Sequence, residues 1–257
     1  MSDDNTGMIL ALLAVCCCCM LSSSLAAGLA SSSSTTTPAA PGPAALTPEQ
    51  TLLASGQAIQ VPEIDISTAP PAFTAPTGID TTKVSYSMSM DVNIAQTGPS
   101  WRNIMNNGTH DCCDANSRRP AIFITGNDAA PPNRIHIVHG AKEDNNKNIV
   151  TTFAATLGTY FNVTWVVDGG KLTTYINGVP DATGSVSGTF NWGTHTPTWK
   201  WNQYLSEYTT RKENTQGPVK VKNVYWFNKA LSPTEIKAIA SPAGSGTSTY
   251  TPEPYNL

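Results

Sequence analysis

The segment His110–Asp114, with sequence HDCCD, gathers side chains that can bind a metal or react with an oxidant. Histidine, cysteine and aspartate are all zinc ligands, and the neighbouring Cys112 and Cys113 can form a vicinal disulfide. Because adjacent side chains point apart, one ion cannot easily use all of them. A zinc site and a vicinal disulfide stay open as alternatives, and we expect an ordinary loop without a bound metal.

Other metal ligands are more widely spread. His136 and His139 lie three residues apart on a predicted strand, so they face opposite sides of it and do not suit a shared metal. Loop residues with side-chain oxygen atoms suit calcium, but they lack the spacing of a calcium-loop motif; they are Asn127, Asp128, Asp144 and Asn145. We expect no cofactor, and calcium is the alternative.

The aromatic segment FNWGTHTPTWKWNQYLSEY is the main candidate for ligand or partner binding. If this stretch forms a strand, Trp199 and Trp201 share one face. Exposed rings of this kind stack on sugars or pack against a protein partner, whereas buried rings belong to the core. The sequence leaves both alternatives open, and the binding candidates are Trp192, Trp199, Trp201, Tyr204 and Tyr208.

The segment EIDIST resembles the E-x-D-x-x-E strand of retaining β-glucanases, with Glu63 and Asp65 at the first two carboxylate positions. Glycoside hydrolysis normally needs two carboxyl groups that flank the bond. The third position is Ser67 or Thr68, and a hydroxyl cannot act as the general acid at neutral pH. No Ser/His/Asp order or phosphate loop is recognisable, so we expect no enzyme.

Charged residues make up only 13% of the 257 residues and are unevenly distributed. No Lys or Arg precedes Asp80, whereas 15 basic and 13 acidic residues follow from there on. Binding to a nucleic-acid backbone leaves a much stronger basic surplus. We therefore expect no nucleic-acid partner.

The uncharged stretch Met8–Leu29 predicts a membrane anchor at residues 1–30. As a helix it is about 33 Å long, enough to cross a hydrocarbon core of roughly 30 Å. A cleaved signal peptide is the alternative, but the preceding MSDDNTG lacks the positive charge that begins one. Four adjacent cysteines are either small apolar residues of this helix or sites of S-acylation; the acylation candidates are Cys16, Cys17, Cys18 and Cys19.

Residues 31–79 predict a tether, because their Ser, Thr, Pro, Ala and Gly content is too high to bury an apolar core. One short helix is predicted in LTPEQTLLA, where Thr47 can cap the helix and Pro48 suits its first position.

From Asp80 the sequence predicts strands. KVSYSMSMDV alternates apolar and polar residues, and YFNVTWVVDGGKLTTYINGV reads as two hairpins with turns at 168–170 and 177–178. ALSPTEIKAIA predicts a short helix with a capping box of Ser232 and Glu235 and a contact between Leu231 and Ile236. The pattern predicts an all-β sandwich over residues 80–241, followed by a tail over residues 242–257.

Two of these segments resemble laminin-G-like, concanavalin A-like domains. YFNVTWVVDGGKLTTYINGV resembles their hairpin core, and VYWFNKALSPTEI resembles their closing strand and helix. The resemblance spans about Asp80–Ala240 and implies a jelly-roll sandwich of two antiparallel sheets. It does not fix the function, since such domains bind sugars, bind proteins or serve as structural modules.

Two sequons, at Asn107 and Asn162, are glycosylation candidates if the domain enters a secretory lumen. Asn162 points away from the apolar face of its strand, so we expect it at the surface.

The anchor and tether together are similar in architecture to minor virion proteins of large icosahedral DNA viruses. They favour a non-enzymatic structural protein that docks onto capsid or lattice proteins and is held at a membrane, between the capsid and the internal membrane of a virion. The alternative is a membrane-anchored lectin module that binds glycans.

Overall fold

The structure, a computed structural model, describes residues 48–68, 73–74, 85–107, 120–139, 148–186, 198–202 and 218–240. The predicted anchor, with Cys16–Cys19, and the C-terminal tail lie outside these residues. No helix within the described ranges is long and apolar enough to cross a membrane.

The described residues form two α-helices, a short 3₁₀ turn and a series of strands. In chain order they are α1 (Pro48–Ser55), β1 (Gln57–Gln60), β2 (Ile64–Asp65), the 3₁₀ turn (Ile66–Thr68), β3 (Phe73–Thr74), β4 (Tyr86–Ile94), β5 (Arg102–Asn107), β6 (Ala121–Ile124), β7 (Arg134–Val138), β8 (Asn148–Ala154), β9 (Tyr160–Asp168), β10 (Lys171–Ile176), β11 (Val179–Ser185), β12 (Thr198–Trp201), β13 (Val219–Phe227) and α2 (Pro233–Ala240).

Two antiparallel sheets face each other. The seven-stranded sheet has the order β1-β13-β4-β9-β10-β11, with β2 also paired to β13, and the six-stranded sheet has the order β3-β12-β5-β6-β7-β8. The prediction of an all-β sandwich of two antiparallel sheets is therefore confirmed.

The core lies between the sheets and follows the predicted alternation. On β4 and β9 the inward side chains include Met88, Met90 and Trp165, and all three are fully buried. The predicted turn after β10 is also present, because Asn177 and Gly178 both have positive φ, at 50° and 79°, as a two-residue hairpin turn of this type requires.

Both helices pack on the outer face of the seven-stranded sheet. Leu52 of α1 and Ile236 of α2 join a second apolar cluster with Val166 and Phe227 of the sheet. The capping box of α2 is formed as predicted: the backbone N–H of Glu235 donates to Ser232 Oγ at 3.3 Å, and the N–H of Ser232 donates to Glu235 Oε2 at 2.8 Å.

The sandwich begins earlier than the predicted boundary at residue 80. β1 and β2 both pair with β13, β3 pairs with β12, and Ile66 is 1% exposed. Residues 48–68 are therefore part of the folded domain and do not belong to the tether. These edge strands are short, rich in polar residues and close to Pro62, which is why they look like linker in the sequence.

Candidate functional site

A row of polar side chains crosses the outer face of the seven-stranded sheet. Lys222 on β13 lies opposite Asp91 on β4, and Asp91 lies opposite Asn162 on β9. Asn177, in the turn after β10, continues the row: its backbone N–H donates to Asn162 O at 2.9 Å, and its Oδ1 accepts from Asn162 N at 2.8 Å. The pairing register of four neighbouring strands thus brings together residues that are far apart in the sequence.

The Asp91 carboxylate is held in one orientation by two amides. Asn162 Nδ2 donates to Oδ1 at 3.0 Å, and Asn223 Nδ2 donates to Oδ2 at 2.8 Å. The Asn162 side chain is itself held by two hydroxyl groups of β4 and β9. Its Nδ2 also lies 3.0 Å from Ser89 Oγ, and its Oδ1 accepts from Thr164 Oγ1 at 3.0 Å. A polar group fixed in this way is preorganised for a ligand, because binding costs little further side-chain ordering.

Tyr160 forms the rim of this row. The ammonium of Lys222 sits 4.1 Å from the centre of the Tyr160 ring, a cation–π contact. The Tyr160 hydroxyl donates to Glu63, which also accepts from Lys220 Nζ at 2.9 Å. These two donors hold the pKa of Glu63 below its usual value, and burial together with Glu63 raises the pKa of Tyr160.

Together these residues line a cavity of about 80 Å³, which we call the Asp91 pocket; its lining consists of Asp91, Tyr160, Phe161, Asn162, Asn177, Lys222 and Ala240. Lys222 and Asp91 are register partners, and within the described part of the chain no direct ion pair joins them. A carboxylate that retains lone pairs and an ammonium with three donors therefore stand side by side. This arrangement suits a ligand with neighbouring hydroxyl groups.

A model of the laminin G type within the concanavalin A-like lectin/glucanases superfamily matches residues 67–237. The chain belongs to this superfamily. No curated protein matches the chain.

Among solved structures, this concanavalin A-like domain is similar to the binding domain of botulinum neurotoxin serotype D, with a TM-score of 0.50, 14% identity and coverage of 69% of this chain and 41% of that one. It is also similar to the ligand binding domain of the same serotype in complex with N-acetylneuraminic acid, with a TM-score of 0.50, 12% identity and the same coverage of both chains. The chain spans less than half of the length of these neighbours, and at such identities the likeness shows the fold alone.

Of the aromatic candidates, Trp199 and Trp201 lie in the described part of the concanavalin A-like domain, and both are buried. Trp199 is 0% exposed and Trp201 is 4% exposed, and the Trp199 ring packs edge-on against Trp226 with centroids 6.2 Å apart. The two rings do share a face, but that face is turned into the core, so the buried alternative holds. Trp192, Tyr204 and Tyr208 lie outside the described residues.

The expectation that Asn162 lies at the surface is wrong. Its side chain does point away from the core, but the residue is only 5% exposed because it is part of the network around Asp91. The other sequon residue, Asn107, is 7% exposed on β5. Both sequon asparagines, Asn107 and Asn162, are therefore buried residues.

The remaining candidates have structural contacts. His136 lies beside Trp101, whereas His139 faces Tyr86 in the interior, so the two histidines do point to opposite sides. Asp128 accepts from Ser100 Oγ at 3.0 Å. Among the described residues no three His, Cys, Asp or Glu side chains come together as a metal site; His110–Asp114, Asp144 and Asn145 lie outside them.

The residues of the EIDIST segment also contribute to the fold. Asp65 Oδ1 accepts from the backbone N–H and the hydroxyl of Ser67, at 2.9 and 2.5 Å. Glu63, as described, joins β2 to Tyr160 at the rim of the Asp91 pocket. No local sequence pattern indicates the pocket itself, since its residues come from separate strands and only the strand register brings them together.

Proposed function

We propose that this protein is a non-enzymatic, lectin-type binding module that takes a saccharide at the Asp91 pocket. The observation that carries the proposal is the placement of Asp91 and Lys222 side by side in the pocket lining, beside the Tyr160 ring. Neighbouring sugar hydroxyls can donate to the carboxylate and accept from the ammonium at the same time, and a tyrosine at the rim supplies an apolar surface for the C–H face of a sugar ring.

The volume of the pocket limits how the saccharide is held. A cavity of about 80 Å³ has roughly the volume that nearly three water molecules occupy in liquid water. This volume is smaller than a whole sugar ring requires. The pocket therefore takes one exocyclic arm or a pair of hydroxyls, while the ring rests on Tyr160 and Lys222. Superfamily membership supports the saccharide as ligand, and one similar domain was solved in complex with N-acetylneuraminic acid.

A non-catalytic role fits the carboxylates of the pocket region. Hydrolysis of a glycosidic bond needs an acid and a second carboxylate on opposite sides of that bond. Asp91 is held by two amides, and Glu63 is bound to Tyr160 and Lys220. In our proposal, Asp91 binds ligand hydroxyl groups and Glu63 positions Tyr160, and neither carboxylate acts as a catalyst.

The test is a glycan array probed with the full-length chain and with a Tyr160→Ala, Lys222→Ala double variant. We expect wild type to bind at least one glycan class and the double variant to lose it. The matched control is Lys171→Ala, which removes an exposed lysine at the turn after β9. Binding that is unchanged in the double variant, with both proteins folded, would exclude the Asp91 pocket as the site.

A second candidate function is membrane-attached docking to the protein shell of a virion, and the uncharged stretch Met8–Leu29 favours it. A retained anchor in front of a compact sandwich suits a protein that links a lattice to a membrane. In this case the full-length chain partitions into the detergent phase with its first residues intact, and it copurifies with a particle. A mature N-terminus near Ala27 or Ser31 would rule out this second function.

A further inference from the structure

A second, larger cavity lies between α1 and α2. Ala238 of α2 lines this groove, whereas Ala240 lines the Asp91 pocket. Because Ala238 and Ala240 are two positions apart on α2, their side chains are rotated by about 200° about the helix axis. The two cavities therefore flank α2 on opposite sides. The groove has a volume of about 570 Å³, within the range of about 300–1,000 Å³ that is usual for small-molecule sites.

Three hydroxyl side chains line the groove. Thr51 and Ser55 lie one turn apart on α1, and Thr234 faces them from α2. Thr51 and Thr234 are exposed, whereas Ser55 Oγ donates to Leu52 O at 2.7 Å and keeps its capacity to accept. Leu52, which is buried, and Ala238 supply apolar surface. Hydroxyls around an apolar patch match the two kinds of surface that a sugar ring presents.

The charge of the groove is balanced. Lys229 and Glu235 at one end form an ion pair with each other, and Glu235 also accepts from Ser232 at the helix cap. Lys229 and Ser232 hold the pKa of Glu235 below its usual value, so this carboxylate stays ionised at neutral pH. The groove therefore carries no net charge and favours a neutral ligand.

We propose that the groove between α1 and α2 binds a neutral polyhydroxylated ligand of the size of a mono- or disaccharide, independently of the Asp91 pocket. One wall of the groove is α1, Pro48–Ser55, which precedes the residues 67–237 that match the family model. This site is thus assembled from the family fold and from a segment in front of it. A chain with both sites engages a glycan at two points, which strengthens attachment through effective concentration.

The test follows the methyl signals of Thr51, Thr234 and Ala238 by NMR. The full-length chain, in a detergent without a sugar headgroup, is titrated with maltose, lactose and N-acetylglucosamine. We expect saturable shifts of these signals with at least one of the three probes. Ala238→Leu, which places a bulkier side chain in the groove, should strongly reduce the shifts of the Thr51 and Thr234 methyl groups, while the matched variant Lys237→Leu on the exposed side of α2 should preserve them.

A milder variant keeps the test valid if Ala238→Leu fails to fold. Thr51→Val removes a hydroxyl with little change in shape, and it should weaken binding about fivefold, the equivalent of one hydrogen bond. The Tyr160→Ala, Lys222→Ala variant should leave the groove shifts unchanged. No saturable shift with any probe, or shifts that persist unaltered in Ala238→Leu, would overturn the groove site while leaving the test of the Asp91 pocket intact.

Discussion

Asp181 of β11 accepts a hydrogen bond from the backbone N–H of Thr152 on β8, at 2.9 Å, and thereby joins the two sheets. Its other oxygen, Oδ1, accepts from Thr152 Oγ1 at 2.6 Å and from the N–H of Phe153 at 3.0 Å. β11 and β8 are edge strands of their respective sheets. This carboxylate thus links the edge strands of the two sheets at one side of the sandwich.

Replacing this carboxylate should cost substantial stability. We expect Asp181→Ala to lower the free energy of unfolding by about 2–3 kcal/mol, since it removes the carboxylate that accepts three part-buried hydrogen bonds from Thr152 and Phe153. Asp168→Ala is the control, because Asp168 is exposed and accepts only from Ser85 Oγ among the described contacts; its effect should stay within about 0.5 kcal/mol. Urea unfolding measures both, and equal effects would contradict the role of Asp181.

The boundary of the folded domain gives a second prediction. Removing residues 1–47 should leave the unfolding temperature of the sandwich unchanged, whereas removing residues 1–68 should lower it strongly. The longer deletion takes away β1, β2 and the buried Leu52 and Ile66, and burial of each such side chain is worth about 2–5 kcal/mol. Thermal unfolding of the two truncated chains makes the comparison. Identical unfolding temperatures would mean that residues 48–68 are tether after all.

Acid should destabilise the domain through His139. Burial lowers the pKa of His139 to about 4, and its side chain is 2% exposed beside Tyr86. The unfolded chain takes up the proton below pH about 6.5 and the folded chain does not until pH about 4. The contribution of neutral His139 to the free energy of unfolding is therefore fully present above pH 6.5. It is lost as the pH drops from 6.5 to 4, by up to about 3 kcal/mol.

The variant His139→Asn separates this effect from the titration of carboxylates. It keeps a hydrogen-bonding side chain next to Tyr86 but has no proton to gain. Its unfolding free energy, measured by urea titration at several pH values, should change less between pH 6.5 and 4 than that of wild type. Parallel curves for the two proteins in this interval would show that His139 does not titrate as described.

Burial of Trp199 predicts an effect on stability and none on ligand contact. Trp199→Ala should lower the free energy of unfolding by about 3–5 kcal/mol, and Trp199→Phe should lower it less and retain a folded protein. Under conditions in which wild type and Trp199→Phe are both folded, the variant should bind glycans as wild type does. A loss of glycan binding by folded Trp199→Phe would return this ring to the list of ligand contacts.

The sequence predicts the parts of the fold that local patterns control. The hairpins of β9–β11 follow from alternation and from Asn177-Gly178, and α2 follows from Ser232 and Glu235, because these signals act within a few residues. The shared face of Trp199 and Trp201 also follows from period two. The alternation does not predict whether that face is turned to the core or to solvent, because this depends on how the opposite sheet packs.

The Asp91 pocket could not be predicted from the sequence for a related reason. Asp91, Asn162 and Lys222 are separated by 71 and 60 positions along the chain, and only the pairing of β13, β4 and β9 makes them neighbours. Each residue alone has the pattern of an outward-facing polar side chain. The burial of Asn162, contrary to expectation, has the same origin, because its partners Asp91 and Ser89 come from another strand.

Saccharide binding at the Asp91 pocket can be tested directly by mapping, with NMR, where a glycan selected on the array contacts the full-length chain. We expect saturable shifts of the side-chain amides of Asn162 and Asn177 and of the Lys222 ammonium, and we expect the two amide shifts to disappear in the Tyr160→Ala, Lys222→Ala variant. Shifts confined to residues of the six-stranded sheet, or a selected glycan that leaves all three side chains unmoved, would contradict the Asp91 pocket as the binding site.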